Sequence, residues 1–337
     1  MRKETGNHRF HRFRRWIRRI CGICAICGSA VLSPHPAVAQ DANELTPAAE
    51  QAIAKALDWL ARQQRSDGSL DDSTAETAAA GLAYMVVGEI PGRGKHARTT
   101  SRILQYTLSH VEENGLIIGK NRRSPMYHHG LAALYLTQAW GLTGYESIRD
   151  KLKKAIDLIV TTQSSKGGWR YFPGRDEQDI SVTVMQVVAL RAARNCGIEV
   201  PEKTIDRAIA YVRSLAHRDG GFGYQSSNDR GIARTGAGMF SLQVCGQYDD
   251  PRIAEGLKYL EKSGMFDNQW EHYGLYYISA ALYQIGGAAW AKNYPVIRDR
   301  LIKSQDREGK WGSESYKTSM AVLTLAIPYH FLPIYQR

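Results

Sequence analysis

The sequence predicts an all-α protein, an (α/α)6 toroid built of six helical hairpins in two concentric rings. Two observations carry this reading. A turn pattern recurs along the chain, and the helix-like segments it separates alternate between amphipathic and apolar. The pattern is clearest in LIVTTQSSKGGWRYFPGRDEQDISVTVMQVVALRAA, residues 158–193. A helix ends at Thr162-Gln163, a Gly167-Gly168-Trp169 turn follows, and a second helix starts near Asp179. The same plan returns in ALDWLARQQRSDGSL from Ala56, in AYVRSLAHRDGGFGY from Ala210 and in RLIKSQDREGKWG from Arg300. Self-similarity at such a period identifies a repeat architecture before any single residue is weighed.

Each part of the pattern has a physical role. Glycine supplies the backbone freedom needed just past a helix end. The large residue after it (Leu70, Trp169, Phe222, Trp311) covers the turn. A glutamine in the last helical turn bonds peptide groups of the loop that are otherwise unsatisfied. On this frame the outer helices run over about 47–64, 96–113, 146–163, 202–216, 251–263 and 291–305. Their inner partners run over about 74–87, 127–142, 179–195, 232–245, 271–285 and 315–327. Thr46 caps the first helix and Pro47 opens it; Pro201 and Pro251 mark later outer-helix starts. Gly68, Gly115, Gly168, Gly221 and Gly309 fall in the turns, and the fifth turn carries Asn268-Gln269-Trp270 instead. The fourth outer helix places Ile205, Ala208, Ile209, Val212 and Leu215 on one stripe, with its charges elsewhere. The third inner helix, ISVTVMQVVALRAA, is apolar nearly all round and so is buried on most sides. Its β-branched run is strand-like, but its length and the repeat favour helix.

Charge is concentrated at the start. Residues 1–39 hold eight Lys/Arg against Glu4 alone, which leaves 36 basic and 32 acidic residues, a net +4, for the rest. That mild excess excludes a nucleic-acid-binding surface as the reason for the basic pI. Arg14-Arg15 and Arg18-Arg19, the apolar run from Ile20 to Leu32 and Ala37-Val38-Ala39 read as a cleavable signal peptide over residues 1–39. The run is too short to span a bilayer comfortably. The reading is therefore a mature single toroid domain over 40–337, periplasmic or secreted, with no stable membrane span after cleavage. Cys21, Cys24 and Cys27 leave with the signal. Cys196 and Cys245, each before a glycine at an inner-helix end, are either a disulfide or two buried free thiols.

The repeat resembles the QW repeat of squalene and hopene cyclases and the related repeat of protein prenyltransferase β subunits, over about residues 47–337. The segments Pro91-Gly92-Arg93-Gly94, Met126-Tyr127-His128-His129-Gly130, Gly167-Gly168-Trp169-Arg170-Tyr171 and Leu332-Pro333-Ile334-Tyr335-Gln336-Arg337 are similar to bacterial exported proteins known as prenyltransferase and squalene oxidase repeat proteins. The resemblance implies the toroid. Its catalytic signatures are incomplete here. Hopene-type cyclases carry Asp-x-Asp-Asp-Thr-Ala; Ser69-Leu70-Asp71-Asp72-Ser73-Thr74 keeps two acids and lacks the leading Asp and the Thr-Ala order, and either Asp72 or Ser73 can serve as a helix cap. Such cyclases also usually have a second barrel, for which this chain has no room. The prenyltransferase zinc triad needs an Asp-x-Cys pair, which the mature chain lacks, and no Cys-Gly-Glu-Gln thioester motif is present. No cofactor is read from the sequence.

In a toroid of this kind the inner helices begin at one end, where their free N–H groups and dipoles surround a mouth. That mouth is the default site. It gathers Asp71, Asp72, Tyr127, His128, His129, Asp179, Ser181, Thr183, Arg234, Thr235, Glu271, His272, Tyr273, Tyr276, Tyr277, Tyr316 and Lys317. Taken singly, Asp72, Asp179 and Ser181 suit helix caps. The catalytic or binding candidates are Asp179, Arg234, His272 and Tyr276: Asp179 paired with Arg234, His272 titrating near neutral pH, Tyr276 offering its ring. His128, His129 and His272 are the candidate metal ligands, although their spacing does not require a metal. The functional reading is an exported toroid that binds a lipid or isoprenoid, a small apolar ligand or an envelope component, at the mouth. The alternative is an enzyme in the same cavity, cyclase- or transferase-like or, on composition alone, a polysaccharide lyase or hydrolase. Export is checked by mass spectrometry of the protein recovered from the periplasm or medium, whose first residue should be Gln40. A cytoplasmic chain with residues 1–39 intact would remove that reading.

Overall fold

The computed structural model describes residues 44–335. The expected signal segment with Cys21, Cys24 and Cys27 lies outside the described residues. Among the described residues twelve α-helices follow in order: α1 Pro47–Gln63, α2 Thr74–Met85, α3 Ala97–Ser109, α4 Pro125–Thr143, α5 Glu146–Thr161, α6 Ile180–Asn195, α7 Glu202–Ser214, α8 Ile232–Val244, α9 Pro251–Ser263, α10 Glu271–Ile285, α11 Gly287–Ser304 and α12 Ser315–Leu325. Odd-numbered helices are outer and even-numbered helices inner. Each inner helix packs on the next, and α12 returns to α2, so the inner ring closes. In α6 every residue from Ile180 to Ala193 is buried except Ser181 and Arg191, whereas α7 buries one stripe of Thr204, Ile205, Ala208, Ile209, Tyr211 and Val212. The expected (α/α)6 toroid is the observed fold. The described strand content is one two-residue pair, β1 Phe222–Gly223 against β2 Arg230–Gly231, in the fourth turn.

The repeated turn is a joint between neighbouring outer helices. Gln64 Nε2 donates to Gly68 O (3.0 Å) and to Thr99 O in α3 (3.1 Å). Gln163 Nε2 does the same to Gly167 O (2.8 Å) and Thr204 O in α7 (2.9 Å). Gln305 Nε2 reaches Gly309 O (2.9 Å) and Ala52 O in α1 (2.8 Å), closing the outer ring on its first helix. In the fourth turn Ala216 stands at the glutamine position, and Arg230 Nη1 donates to Gly220 O instead (3.1 Å). The covering residue is buried, and its N–H is taken by an inner-helix threonine: Leu70 by Thr77, Trp169 by Thr183, Phe222 by Thr235, Trp311 by Thr318. The indoles of Trp169 and Trp311 also donate to Ile159 O and Leu301 O.

Several details differ from expectation. The turn glycines are Gly167 and Gly220, one position earlier than Gly168 and Gly221 in the third and fourth repeats. Gly167 and Gly220 have φ 97° and 85°, and a Cβ there would stand 2.2 Å from Arg207 O and 2.6 Å from Glu255 O. Helix α3 stops at Ser109, because the backbone of residues 110–112 pairs with 116–118 (Glu112 N to Leu116 O 2.8 Å, Ile118 N to His110 O 3.1 Å). Helix α11 starts early, at Gly287, since Gly286 and Gly287 at positive φ reverse the chain straight out of α10. Cys196 and Cys245 are free thiols, which decides between the two expectations; burial pushes them up to about 11 and about 12, so they stay protonated. No described helix is long and apolar enough to cross a membrane.

Gly167 and Gly174 separate two costs of a side chain. Both sit at positive φ, but a Cβ at Gly174 meets nothing within 4 Å. Gly174→Ala should cost roughly 1–2 kcal/mol of backbone strain. Gly167→Ala should cost at least ~2 kcal/mol more, because the Arg207 carbonyl must also move. Equal losses in denaturant unfolding would mean that the joint is loose.

Candidate active site at the inner-helix mouth

Asp179 is the best-held acid of the mouth. It caps α6, its Oδ1 accepting from Val182 N at 2.9 Å. Its Oδ2 accepts from Tyr224 OH at 3.2 Å and lies 3.6 Å from Arg170 Nε. Tyr224 OH also meets Tyr171 OH at short range. Burial outweighs these bonds and raises the Asp179 pKa above the usual carboxylate value. The cation at Asp179 is therefore Arg170. The expected partner, Arg234, instead pairs with Asp229 and lies over the Tyr224 ring, 5.4 Å from its centroid. Asp229 stands just before β2 and Arg234 five residues later in the first turn of α8, and this local carboxylate wins. Asp179 and Arg234 still meet the same side chain, Tyr224.

A second acid stands in the first turn of α2. Burial raises the Glu76 pKa, and the nearby Asp71 and Glu314 add to the shift, opposed by a bond from Ser73. Its Oε2 is buried without a partner. The acids of the partial cyclase motif have other tasks. Asp71 and Asp72 adopt left-handed backbone (φ 52° and 53°); Asp71 accepts from Ser315 N at 2.8 Å, and Asp72 faces Lys120 at 3.8 Å. Of the two expected caps of α2, Ser73 serves, through Ala75 N.

His272, in the first turn of α10, has its pKa lowered by burial, with Glu271 opposing and Lys317 adding. It is thus held neutral at pH 7, and its Nε2 is buried without a partner. Glu271 is drawn outward to Arg300 at 2.6 Å. Tyr276 lies deeper, 4 % exposed, its hydroxyl accepting from Tyr335 OH at 3.0 Å and its own proton held up to about 12 by burial. It therefore presents its ring to Tyr277 and Tyr335 rather than to the mouth. Above it Tyr127, Tyr273 and Tyr316 each keep part of their surface open, with Tyr127 against Tyr171 (5.9 Å) and Tyr273 against Tyr277 (4.8 Å).

The histidine pair of α4 is structural. His129 accepts from Ile117 N through Nδ1 (3.1 Å) and reaches Ala155 O through Nε2 (3.1 Å), doing for the second turn what threonine does for four others. Burial pushes its pKa down to about 4. His128 Nδ1 lies 3.2 Å from Thr74 Oγ1 and 3.4 Å from Ser73 Oγ, tying α4 to the start of α2. His128 and His129 are thus engaged in different places, His272 stands on another helix, and no three His, Cys, Asp or Glu among the described residues are grouped as a metal site. Sequence reasoning missed Glu76, Arg170, Tyr171, Tyr224 and Tyr335. It also missed the rim: Trp270 and Phe172 are 57 % and 42 % exposed in the loops that lead into α10 and α6.

Comparison with known proteins supports the architecture. Residues 129–280 match the squalene-hopene cyclase C-terminal domain family, and residues 17–116 match the prenyltransferase alpha-alpha toroid domain family. No curated protein matches the sequence. Among solved structures, the type II terpene cyclase MstE of Scytonema with geranylgeranyl dihydroxybenzoate is similar at 13 % identity and TM-score 0.62, over 85 % of this chain and 98 % of that one. An α-1,6-mannanase of a Salegentibacter species, with α-1,6-mannotriose, is similar at 8 % identity and TM-score 0.65, over 84 % and 99 %. The cellobiose 2-epimerase of Bacillus thermoamylovorans is similar at 10 % identity and TM-score 0.63, over 82 % and 98 %. That cyclase structure is covered almost whole by one toroid of this length. The lack of a second barrel is therefore no argument against cyclisation; the departure at the acid motif remains one.

The Glu76 carboxyl gives a pH signature. A raised folded pKa means that the folded chain holds this proton more tightly than the unfolded chain. The group then favours folding most at acid pH, and this is lost as pH rises from 4.5 through the folded value. Glu76→Gln cannot lose that proton. Its melting temperature should gain on wild type between pH 4 and pH 7. A constant difference would place the carboxyl in water.

Proposed function

Taking as premise a chain with the α/α-toroid repeat of squalene–hopene cyclases and protein prenyltransferases, we propose that the inner-helix mouth binds a small polyhydroxylated, sugar-like ligand and is equipped for acid–base chemistry on it. The solved structures similar to this chain act on both isoprenoids and sugars, so the fold does not choose between them. The observation that carries the choice is a gathering of buried polar atoms without partners at the mouth: Glu76 Oε2, Gln178 Oε1, His272 Nε2, Tyr273 OH and Ser315 Oγ. Each is on the first turn of an inner helix or just before one. An orphaned buried polar group costs roughly 1–3 kcal/mol. A ligand rich in hydroxyl groups offers donors and acceptors to this set; a hydrocarbon leaves every one unmet. The exposed rings of Trp270 and Phe172 add apolar faces at the rim on which a sugar ring can lie. Glu76 and Asp179, whose pKa values burial raises, stand as the acids, and His272, whose pKa burial lowers, as the base.

The second reading is an isoprenoid or other lipid. It is favoured by the partly open rings of Tyr127, Tyr273 and Tyr316, which suit an apolar chain or a developing positive charge. In both readings the protein works outside the cytoplasm, as the start of the sequence proposes.

Saturation-transfer NMR with neutral hexoses and their methyl glycosides tests the first reading. Wild type should show contact to the ring protons. His272→Ala and Glu76→Gln should lose it while still melting cooperatively, His272→Ala within about 2 °C of wild type and Glu76→Gln no lower than wild type at pH 7, since neither group has a full set of bonds to forfeit. Retained contact in both variants would move the site away from the mouth. Contact to geranylgeraniol but to no sugar would favour the second reading.

A further inference from the structure

The chain does not stop at the sixth hairpin. After α12 it forms a short turn, Ile327–Tyr329, and passes His330 in the left-handed region (φ 55°). Phe331 then lies against Gly88, beyond the end of α2. From there the segment from Leu332 enters the lumen, with Leu332, Ile334 and Tyr335 buried. Its last turn, Pro333–Tyr335, packs on α6. Tyr335 also takes two bonds from the α10 side: Gln284 Nε2 donates to its carbonyl at 3.2 Å, and its own hydroxyl donates to Tyr276 OH at 3.0 Å. Helices α6 and α10 are not neighbours in the inner ring, because α8 stands between them. The segment therefore crosses the lumen. Its two bonds to α10 run from the last turn of that helix back to the second, so the ring of Tyr335 lies along the lumen beneath the mouth.

We propose that Leu332–Tyr335 is the floor of the ligand pocket, and that Tyr335 sets how long an apolar chain a ligand carries below its polar head. The inference rests on the mouth being the ligand site. The mouth leaves polar atoms unmet, whereas the hydroxyls of Tyr276 and Tyr335 satisfy each other. The depth therefore asks no polar group of a ligand and is already filled by the chain's own aromatic rings. A head without a tail is accommodated above Tyr276. A head with a long alkyl tail meets the Tyr335 ring. Truncating that ring opens a space walled by Tyr276, Tyr277 and the apolar face of α6, and a dry space of that kind takes up hydrocarbon.

The experiment compares methyl and n-octyl β-D-glucoside, the latter below its micelle concentration, on the full chain by calorimetry and melting. Wild type and Tyr335→Phe should bind the two glucosides within a factor of two. Tyr335→Ala should bind the octyl compound at least tenfold more tightly than the methyl one; each buried methylene is worth about fourfold, so about two suffice. Should Tyr335→Ala not melt cooperatively, Tyr335→Leu serves, with a smaller gain of at least threefold. An octyl preference of tenfold in wild type overturns the floor, since the lumen is then already open. Absence of any octyl gain in a normally melting Tyr335→Ala overturns it as well. An octyl gain without methyl glucoside binding in either protein keeps the floor and removes the sugar-like head. Methyl binding without the gain keeps the mouth and removes the floor.

Discussion

The toroid depends on how closely one turn approaches the next outer helix. At Gly68, Gly115, Gly167, Gly220 and Gly309 a Cβ would lie 2.2–2.8 Å from a backbone carbonyl of a neighbouring outer helix, and all five have positive φ. Glycine is thus required twice over, for conformation and for space. In three of the five, at Gln64, Gln163 and Gln305, a glutamine amide then bridges the two backbones, and every close approach couples helices from different hairpins. A hairpin alone buries one face; the joint is what makes the second face available to its neighbour. Because Gly309 and Gln305 reach Lys55 and Ala52, the last joint is also the closure of the ring.

This joint explains why the helices were legible in the sequence and the site was not. Gly and a large apolar residue repeat at fixed spacing in five of the six turns, three of them with Gln four residues before the Gly, so these turns announce themselves and helix ends follow to within a few residues. Of the threonines that hold the covering residues, Thr183 and Thr235 were read as mouth residues, although they accept the turn N–H groups, while Thr77 and Thr318 passed unremarked, since a threonine early in an apolar helix reads equally well as filler. His129 shows the same difficulty in reverse. Read as a candidate metal ligand, it is the second repeat's version of that threonine.

The mouth was legible only as a place. Its position follows from all inner helices starting at one end. Its pairings do not follow, because they are made by residues in loops of different length. Arg170 and Tyr224 both converge on Asp179, one from nine residues before it and one from 45 after, and neither carries a helical period to flag it. Glu76 looked like an ordinary acidic residue in a first helical turn. Its burial comes from the approach of α12, which also brings Ser315 N to Asp71. Tyr335 belongs to no repeat, so the period that located every helix gave no information about it.

The fifth repeat shows how a repeat fold makes room for function. Where the other turns bury a large residue and clamp its N–H, this one has Trp270 standing 57 % exposed, its N–H taken by Asp267 at 2.8 Å within the same loop. The turn has dropped the joint and kept the aromatic ring. The neighbouring inner helix begins with His272 and Tyr273, both with unmet polar atoms. The structural constraint is thus relaxed at one point of the ring, and it is there that exposed apolar surface and unsatisfied polar groups meet. Five regular joints hold the ring rigid enough for the sixth to be open, and such an opening in a rigid frame is where a binding surface is to be sought.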